Sequence, residues 1–355
     1  VPVREFDKSP DHINCSNGVL DLRTGELIDH SPSQYFTYCV PVDYDPDVGW
    51  EKWEAFLASV VDGGPEMVNY LQEAVGYTLT GHTREECLFF ILGPTRSGKG
   101  TFTETVLEML GRKPMATQVD FNTFTRKRDN DANSADLATL KPCRFVAASE
   151  SGRSQWLNAA KIKQLTGGDD VFCALKYRDH FSYRPQYKLW LISNHSPKVD
   201  VADDAAWYRI RLIEFPDSRA GREDKLLKER MKAPRMLQQV LAWAVVGAMR
   251  WYRREGLGLE IPQRVKEATQ EARDRIDYVQ QWIDACVIPL GNGDAFLPNK
   301  DLYSSYKEWC DGQGVMPKGS GGLTRALKSK GYQAGEPKKF HGKTHRGCFG
   351  IGLPK

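Results

Sequence analysis

Short, nearly uninterrupted apolar runs bounded by polar or turn-forming residues set the outline of this chain. They are "CLFFIL" (Cys87 to Leu92), "RFVAAS" (Arg144 to Ser149), "YKLWLISN" (Tyr187 to Asn194) and "RIRLIEF" (Arg209 to Phe215). Runs of this length predict strands buried on both faces of a parallel sheet. Between them, "TFTETVLEML" and "WLNAAKIKQL" carry apolar residues at helical spacing, so strands and helices alternate as in an α/β domain. Ahead of this core, Ile13 to Pro46 alternates apolar and polar residues around Asn17-Gly18 and Thr24-Gly25, the signature of short strands joined by turns. From Trp50 to Thr80 the spacing becomes helical, with Trp53, Phe56, Leu57, Val60, Met67, Leu71, Val75 and Leu79 in register.

After Pro216 the pattern is helical again. "MLQQVLAWAVVGAMRWYRR" (Met236 to Arg254) has a broad apolar face and "RVKEATQEARDRIDYVQQWIDACV" a narrower one. The stretch from Pro289 to Asn299 reads as a linker, followed by two short helices and a glycine-rich, basic strand-loop-strand from Tyr332 to Leu353. That is the element order of a winged helix-turn-helix. The pattern divides the chain into a β-rich then helical N-terminal subdomain (1–80), a central α/β core (81–220), a helical region (221–288) and a basic terminal domain (289–355).

A chain of 355 residues and 40.2 kDa exceeds the usual size of one core, in keeping with several domains. No apolar run approaches the roughly 18 residues of a membrane span. The chain opens at Val1 with no leader-like segment, which suggests a piece of something longer in the cytoplasm of a host cell or at a viral replication site. Eight scattered cysteines without a C-x-x-C pair indicate reduced thiols. His341, His345 and Cys348 lack companion ligands, so the basic loop that holds them does not read as a zinc site. The net charge of +3 conceals a polarity: 16 acidic against 5 basic residues up to Leu92, and 9 basic against 1 acidic from Pro317 onward. The basic end suits a polyanion such as nucleic acid.

The chemistry-bearing stretch is "LFFILGPTRSGKGTF" (Leu88 to Phe102), a buried strand, Gly-x-x-x-x-Gly-Lys and a helix. Gly93 and Gly98 let backbone N–H groups converge on phosphate oxygens, the helix offers its positive end, and Lys99 reaches the terminal phosphates of ATP. The next slot, ordinarily a magnesium-holding Ser or Thr, is Gly100, which leaves Thr101 as the nearest hydroxyl. Glu150, at the tip of a strand taken as neighbouring, suits holding Mg2+ through water together with Thr101 and polarising the attacking water. Asn194, at the end of another strand, can orient that water or sense the γ phosphate. Arg209 and Arg211, read as sharing one face at the start of the last strand, suit charge stabilisation across a subunit boundary.

In this order, "NGVLDL-TGEL", "LQEAVGYTLTG", "GPTRSGKGTF", "FVAASE", "KQLTGGDD", "KLWLISNHSP", "AAWYRIRLIEF" and "LYSSYKEWCDGQG" resemble the superfamily 3 helicases of the phage, plasmid and poxvirus primase-helicase type. The resemblance implies an AAA+-like phosphate-loop ATPase core with a parallel sheet, a small N-terminal subdomain and a C-terminal winged helix. It further implies an ATP- and Mg2+-dependent ring, a homo-hexamer, moving 3′ to 5′ on single-stranded DNA at a forked duplex, with a primase domain preceding this segment. Lys99 then matches the phosphate-binding lysine, Glu150 the acidic metal position, Asn194 the sensor and Arg209 the arginine finger, with Arg211 as the fallback. A hairpin around "LKYRDHF" would present Lys176, Tyr177, Arg178 and His180 to DNA. Arg325, Lys328 and Lys330 on the second helix of the terminal domain would add further contacts. Two rival readings are a phosphate-loop nucleotide kinase, since Gly-Lys-Gly-Thr suits one, and a non-catalytic winged-helix DNA-binding regulator.

Overall fold

The computed structural model describes residues 5–126, 134–150, 155–174, 179–221, 224–290, 295–340 and 343–354. They fall into two compact units, one comprising 1–199 and 205–270 and the other 200–204 and 271–355.

The first unit opens with β1 (His12–Cys15), β2 (Gly18–Asp21) and β3 (Leu27–Ile28) in one antiparallel sheet, followed by helices α1 (Glu51–Ala58) and α2 (Gly64–Leu79). The central part runs β4 (Leu88–Leu92), α3 (Lys99–Met109), β5 (Ala116–Asp120), α4 (Ser134–Ala138), β6 (Phe145–Ser149) and α5 (Ala159–Thr166). It continues with β7 (Val171–Ala174), β8 (His180–Tyr183), β9 (Lys188–Ser193), α6 (Asp204–Arg209) and β10 (Ile210–Glu214). Five of these strands form one parallel sheet in the order β10-β4-β9-β6-β5. Helices α7 (Leu227–Met231), α8 (Pro234–Arg253) and α9 (Gln263–Asp274) follow.

One core joins the N-terminal segment, the sheet and α8. Trp53 stacks on Phe102 and meets Trp243 edge-on at 5.8 Å, while Trp190 lies against Phe89 at 4.3 Å. Burying several large rings, each hiding roughly 150–250 Å², makes this cluster the main apolar contribution to the unit. The N-terminal subdomain and the helical region therefore share the core's hydrophobic interior instead of forming separate ones.

The second unit contains α10 (Tyr278–Cys286), β11 (Ile288–Pro289), β12 (Phe296–Pro298), α11 (Asn299–Gly312), α12 (Ser320–Ser329), β13 (Ala334–Phe340), β14 (Lys343–Phe349) and β15 (Ile351–Gly352). Its sheets are ordered β12-β14-β13 and β11-β15, all antiparallel. Val279, Trp282 and Ile283 of α10 pack with Leu302, Tyr306, Leu323 and Leu327 in its core.

Four expectations change. The long polar helix after Arg264 is two helices, because the Asp277 carboxylate accepts from the Gln280 N–H at 3.0 Å and starts α10 afresh. The face of α10 then belongs to the basic terminal unit, so the division falls near residue 271 and not at 289. Strand β5 was not foreseen. Finally, Arg209 closes α6 and precedes β10, so it does not share a strand face with Arg211.

Candidate functional site

The parallel register brings three chain reversals to one edge. Leu92 pairs with Ser193 and Ser149 with Ile192, so Gly93, Asn194 and Glu150 leave the sheet from consecutive strands β4, β9 and β6. The strand carrying Glu150 is thus not adjacent to β4; β9 lies between them and sets Asn194 in the middle. This carboxyl-terminal edge is where open α/β sheets bind ligands.

The loop from Gly93 to Gly98 is held on both sides. The Gly93 N–H donates to Ser193 O at 3.2 Å, and a side chain at position 93 would strike Phe215 O. Gly98 caps α3 with φ +96°, a left-handed conformation, and a Cβ there would lie 2.6 Å from Val60 Cγ1; both facts require glycine. Helix α3 begins at once, so the N–H groups of Lys99, Gly100 and Thr101 have no partner inside it. Lys99 is 7% exposed, and its ammonium donates to Gly93 O at 2.6 Å, Pro94 O at 2.7 Å, Ser97 Oγ at 3.3 Å and Asn194 Oδ1 at 2.9 Å. Burial, with no carboxylate among these four acceptors, pushes its pKa down to about 8. An anion placed before α3 would supply the missing counter-charge.

Position 100 faces open space, with nothing within 4 Å of where a Cβ would stand. Thr101, one helical step of about 100° away, is 7% exposed. Asn194 also reaches toward Thr95 Oγ1 at 3.4 Å. Glu150 is fixed by two donors, the Gln155 N–H at 3.1 Å and the Ser193 hydroxyl. Ser193, which no pattern in the sequence singles out, orients this carboxylate. An oriented carboxylate, an amide and an ammonium around one opening suit a polyphosphate with a divalent cation.

Arg209 lies at the other end of the sheet. Ile210, which follows it, pairs with Leu88 at the start of β4, whereas Gly93 leaves the far end, roughly 16 Å away at strand spacing. Its guanidinium is held by Glu86 Oε2 at 2.7 Å and Ala205 O at 2.9 Å. Arg211 is 8% exposed and turned back onto the carbonyls of Tyr208 and Ile210.

Strands β7 and β8 form the expected antiparallel hairpin, with Ala174 opposite His180. Lys176, Tyr177 and Arg178 lie outside the described residues. His180 is exposed and stacks on Phe172 with centroids 4.8 Å apart; Phe172 itself is 65% exposed and was not foreseen. In the second unit Arg325 is exposed, Lys328 meets Glu336 at 3.5 Å, and Lys330 sits just past α12, bonded to Asp277 at 2.6 Å. All eight cysteines are free, and among the described residues no group of three metal-ligating side chains occurs. No helix among those residues is long and apolar enough to cross a membrane.

A family profile described as "D5 N terminal like" matches residues 1–62, and one described as a family of unknown function (DUF5906) matches 91–210. "Putative helicase L207/L206" of Acanthamoeba polyphaga mimivirus is 26% identical over 329 residues, covering 86% of this chain and 34% of the relative. "Putative primase C962R" of African swine fever virus (isolate Pig/Kenya/KEN-50/1950) is 22% identical over 342 residues, with 86% and 34% covered. Residues 1–62 thus match a D5 N terminal like domain, and the chain is similar to viral proteins described as putative helicases and putative primases. It spans about a third of the length of these relatives. In fold it is similar to "The A form apo structure of NrS-1 C terminal region-CTR", with a TM-score of 0.52 at 13% identity, covering 87% of this chain and 77% of that one. The D5 N terminal like match ends within the segment preceding α2, and the second match contains the loop, Glu150, Asn194 and Arg209.

Proposed function

We propose that this chain is the motor segment of an ATP-dependent DNA helicase that serves replication of a virus or other mobile element. The observation that carries the reading is the Lys99–Asn194 bond beside the oriented Glu150 carboxylate, at the tips of three consecutive parallel strands. Lys99 and the first N–H groups of α3 would hold the phosphates of ATP, and Asn194 would orient the attacking water. Bound Mg2+ would supply charge neutralisation at the phosphates. Glu150 would be its main protein partner through water, with the buried Thr101 contributing less. Gly100→Ser places a hydroxyl in open space beside this site, and is expected to lower the half-saturating Mg2+ concentration for turnover several-fold; an unchanged titration would contradict a metal at that place.

Arg209 lies too far from its own chain's loop to touch ATP there, which supports a role toward another copy and hence a ring, read as a homo-hexamer moving 3′ to 5′. Single-stranded DNA would pass the β7–β8 hairpin, where Phe172 and His180 offer stacking surfaces and Lys176, Tyr177 and Arg178 complete the tip in sequence. A forked duplex would meet the second unit, whose helix and strand order suits a winged helix. There Lys330 and Lys328 already have acidic partners, so Arg325 and the exposed Lys339, Lys343 and Arg346 of the β13–β14 ribbon are the better phosphate contacts. Replacing Lys339, Lys343 and Arg346 by alanine is expected to reduce the log–log salt slope of duplex binding by roughly 2–3. A slope unchanged by the triple variant but reduced by Arg325→Ala would return the contact to α12.

The direct test is steady-state ATP turnover with and without single-stranded DNA. Transfer of phosphate to a nucleotide acceptor would instead support the kinase, and no turnover in either condition the regulator.

A further inference from the structure

The Thr-Gly-Gly-Asp-Asp segment has no part in the phosphate site, yet it is seated against Arg209. A Cβ on Gly167 would stand 3.9 Å from Arg209 Nη2, and Gly168, at φ +76°, faces Thr83 Oγ1 at 3.2 Å from where its Cβ would be. The Thr83–Glu86 turn closes with the Glu86 N–H donating to Thr83 O at 3.0 Å, and Glu86 is itself at φ +46°. A glutamate in the left-handed region is uncommon and is kept there by its surroundings. In this turn Glu86 presents Oε2 to Arg209.

The arginine is not displayed toward solvent. Its side chain is 15% exposed; Nη2 is on Glu86, Nη1 is on the Ala205 carbonyl, and the buried Nε has no partner. Glu86, 46% exposed, is the outer member of the pair. A guanidinium arranged this way reaches another molecule's phosphate only by leaving Glu86, and leaving would also relieve the orphaned Nε. On the other side, the Arg184 Nε donates to Gly168 O at 2.7 Å directly after β8, and Val171 opposite Tyr183 begins the hairpin. One turn therefore lies beside the arginine's seat and is bonded to the base of the hairpin.

We propose that Glu86 is a positioning residue that holds Arg209 at rest, and that the Gly167-Gly168 turn links release of Arg209 to displacement of the β7–β8 hairpin by DNA. The inference rests on the reading of Arg209 as the residue that serves another copy's ATP. Polyphosphate from a neighbouring copy would compete with a single carboxylate for the guanidinium, and movement of the hairpin would shift the seat through Gly168.

Five proteins, each the full 355-residue chain, decide this: parent, Arg209→Ala, Glu86→Gln, Glu86→Asp and Gly168→Ala. Turnover is measured across ATP concentrations, with and without single-stranded DNA, alongside thermal unfolding. Glu86→Gln is expected to raise DNA-free turnover about twofold to fivefold, the shift expected from losing an ion pair of this exposure. The KM for ATP should stay unchanged and the stimulation by DNA should shrink in proportion. Glu86→Asp, which keeps the charge, should lie near the parent. Gly168→Ala should reduce stimulation without changing KM. A parent without turnover, or an Arg209→Ala chain as active as the parent, removes the reading of the site and the inference with it. An active parent, an inactive Arg209→Ala and an unchanged or slower Glu86→Gln, all equally folded, overturn the inference alone.

Discussion

Lys99→Ala is expected to lower ATP turnover at least about 100-fold, the usual cost of removing a charged donor aimed at a reacting phosphate, while leaving the fold intact. Lys99 is the convergence point of Gly93 O, Pro94 O, Ser97 Oγ and Asn194 Oδ1, so its loss also frees Asn194 from its anchor. The same residue gives the site a pH signature. Its pKa is pushed down to about 8 by burial, from 10.5. Between those values the unfolded chain binds more protons than the folded one, so stability rises with pH: the penalty that burying this ammonium places on folding is full below about 8 and fades as pH approaches 10.5. Phosphate binding has the opposite demand, because only the protonated amine pairs with it. Nucleotide affinity is thus expected to fall as pH rises above about 8, with proton uptake on binding in that range, measurable by calorimetry in buffers of different ionisation enthalpy. An affinity flat from pH 7 to 10 would place the phosphates elsewhere.

Glu150→Gln is the second large effect. The amide can keep one acceptor toward Ser193 and Gln155 but cannot polarise water as a base, so turnover is expected to fall about 10²–10⁴-fold while nucleotide binding survives. Binding of a fluorescent ATP analogue, set against turnover by the same preparation, separates the two. Loss of both in equal measure would make Glu150 a structural residue of the loop.

How far the sequence disclosed this site depended on whether each feature is local. The β4–loop–α3 unit, β6 and β9 were legible because buried parallel strands are written as apolar runs, and β10, at the sheet edge, through its alternation. Strand β5, "ATQVD", lies at the sheet edge and buries only Ala116 and Thr117, so its pattern carries little signal. Arg209 was misassigned to the strand because "WYRIRLIEF" alternates as a strand does, and only the packing of Trp207 and Ala206 shows where α6 ends. Sheet order is likewise non-local: nothing in the chain says that β9 inserts between β4 and β6. The ion pairs that occupy Lys330 and Arg209 join residues 53 and 123 positions apart, and Glu86 and Ser193 had no pattern to announce them. The roles proposed for Glu150, Asn194 and Arg209 came from resemblance to the helicase type and not from any local pattern.

The central claim is a DNA-coupled ATPase, and steady-state ATP turnover of the 355-residue chain with and without single-stranded DNA tests it most directly. The expected result is turnover that rises several-fold with DNA and disappears in Lys99→Ala under both conditions. Turnover indifferent to DNA, or none in either condition, would contradict it.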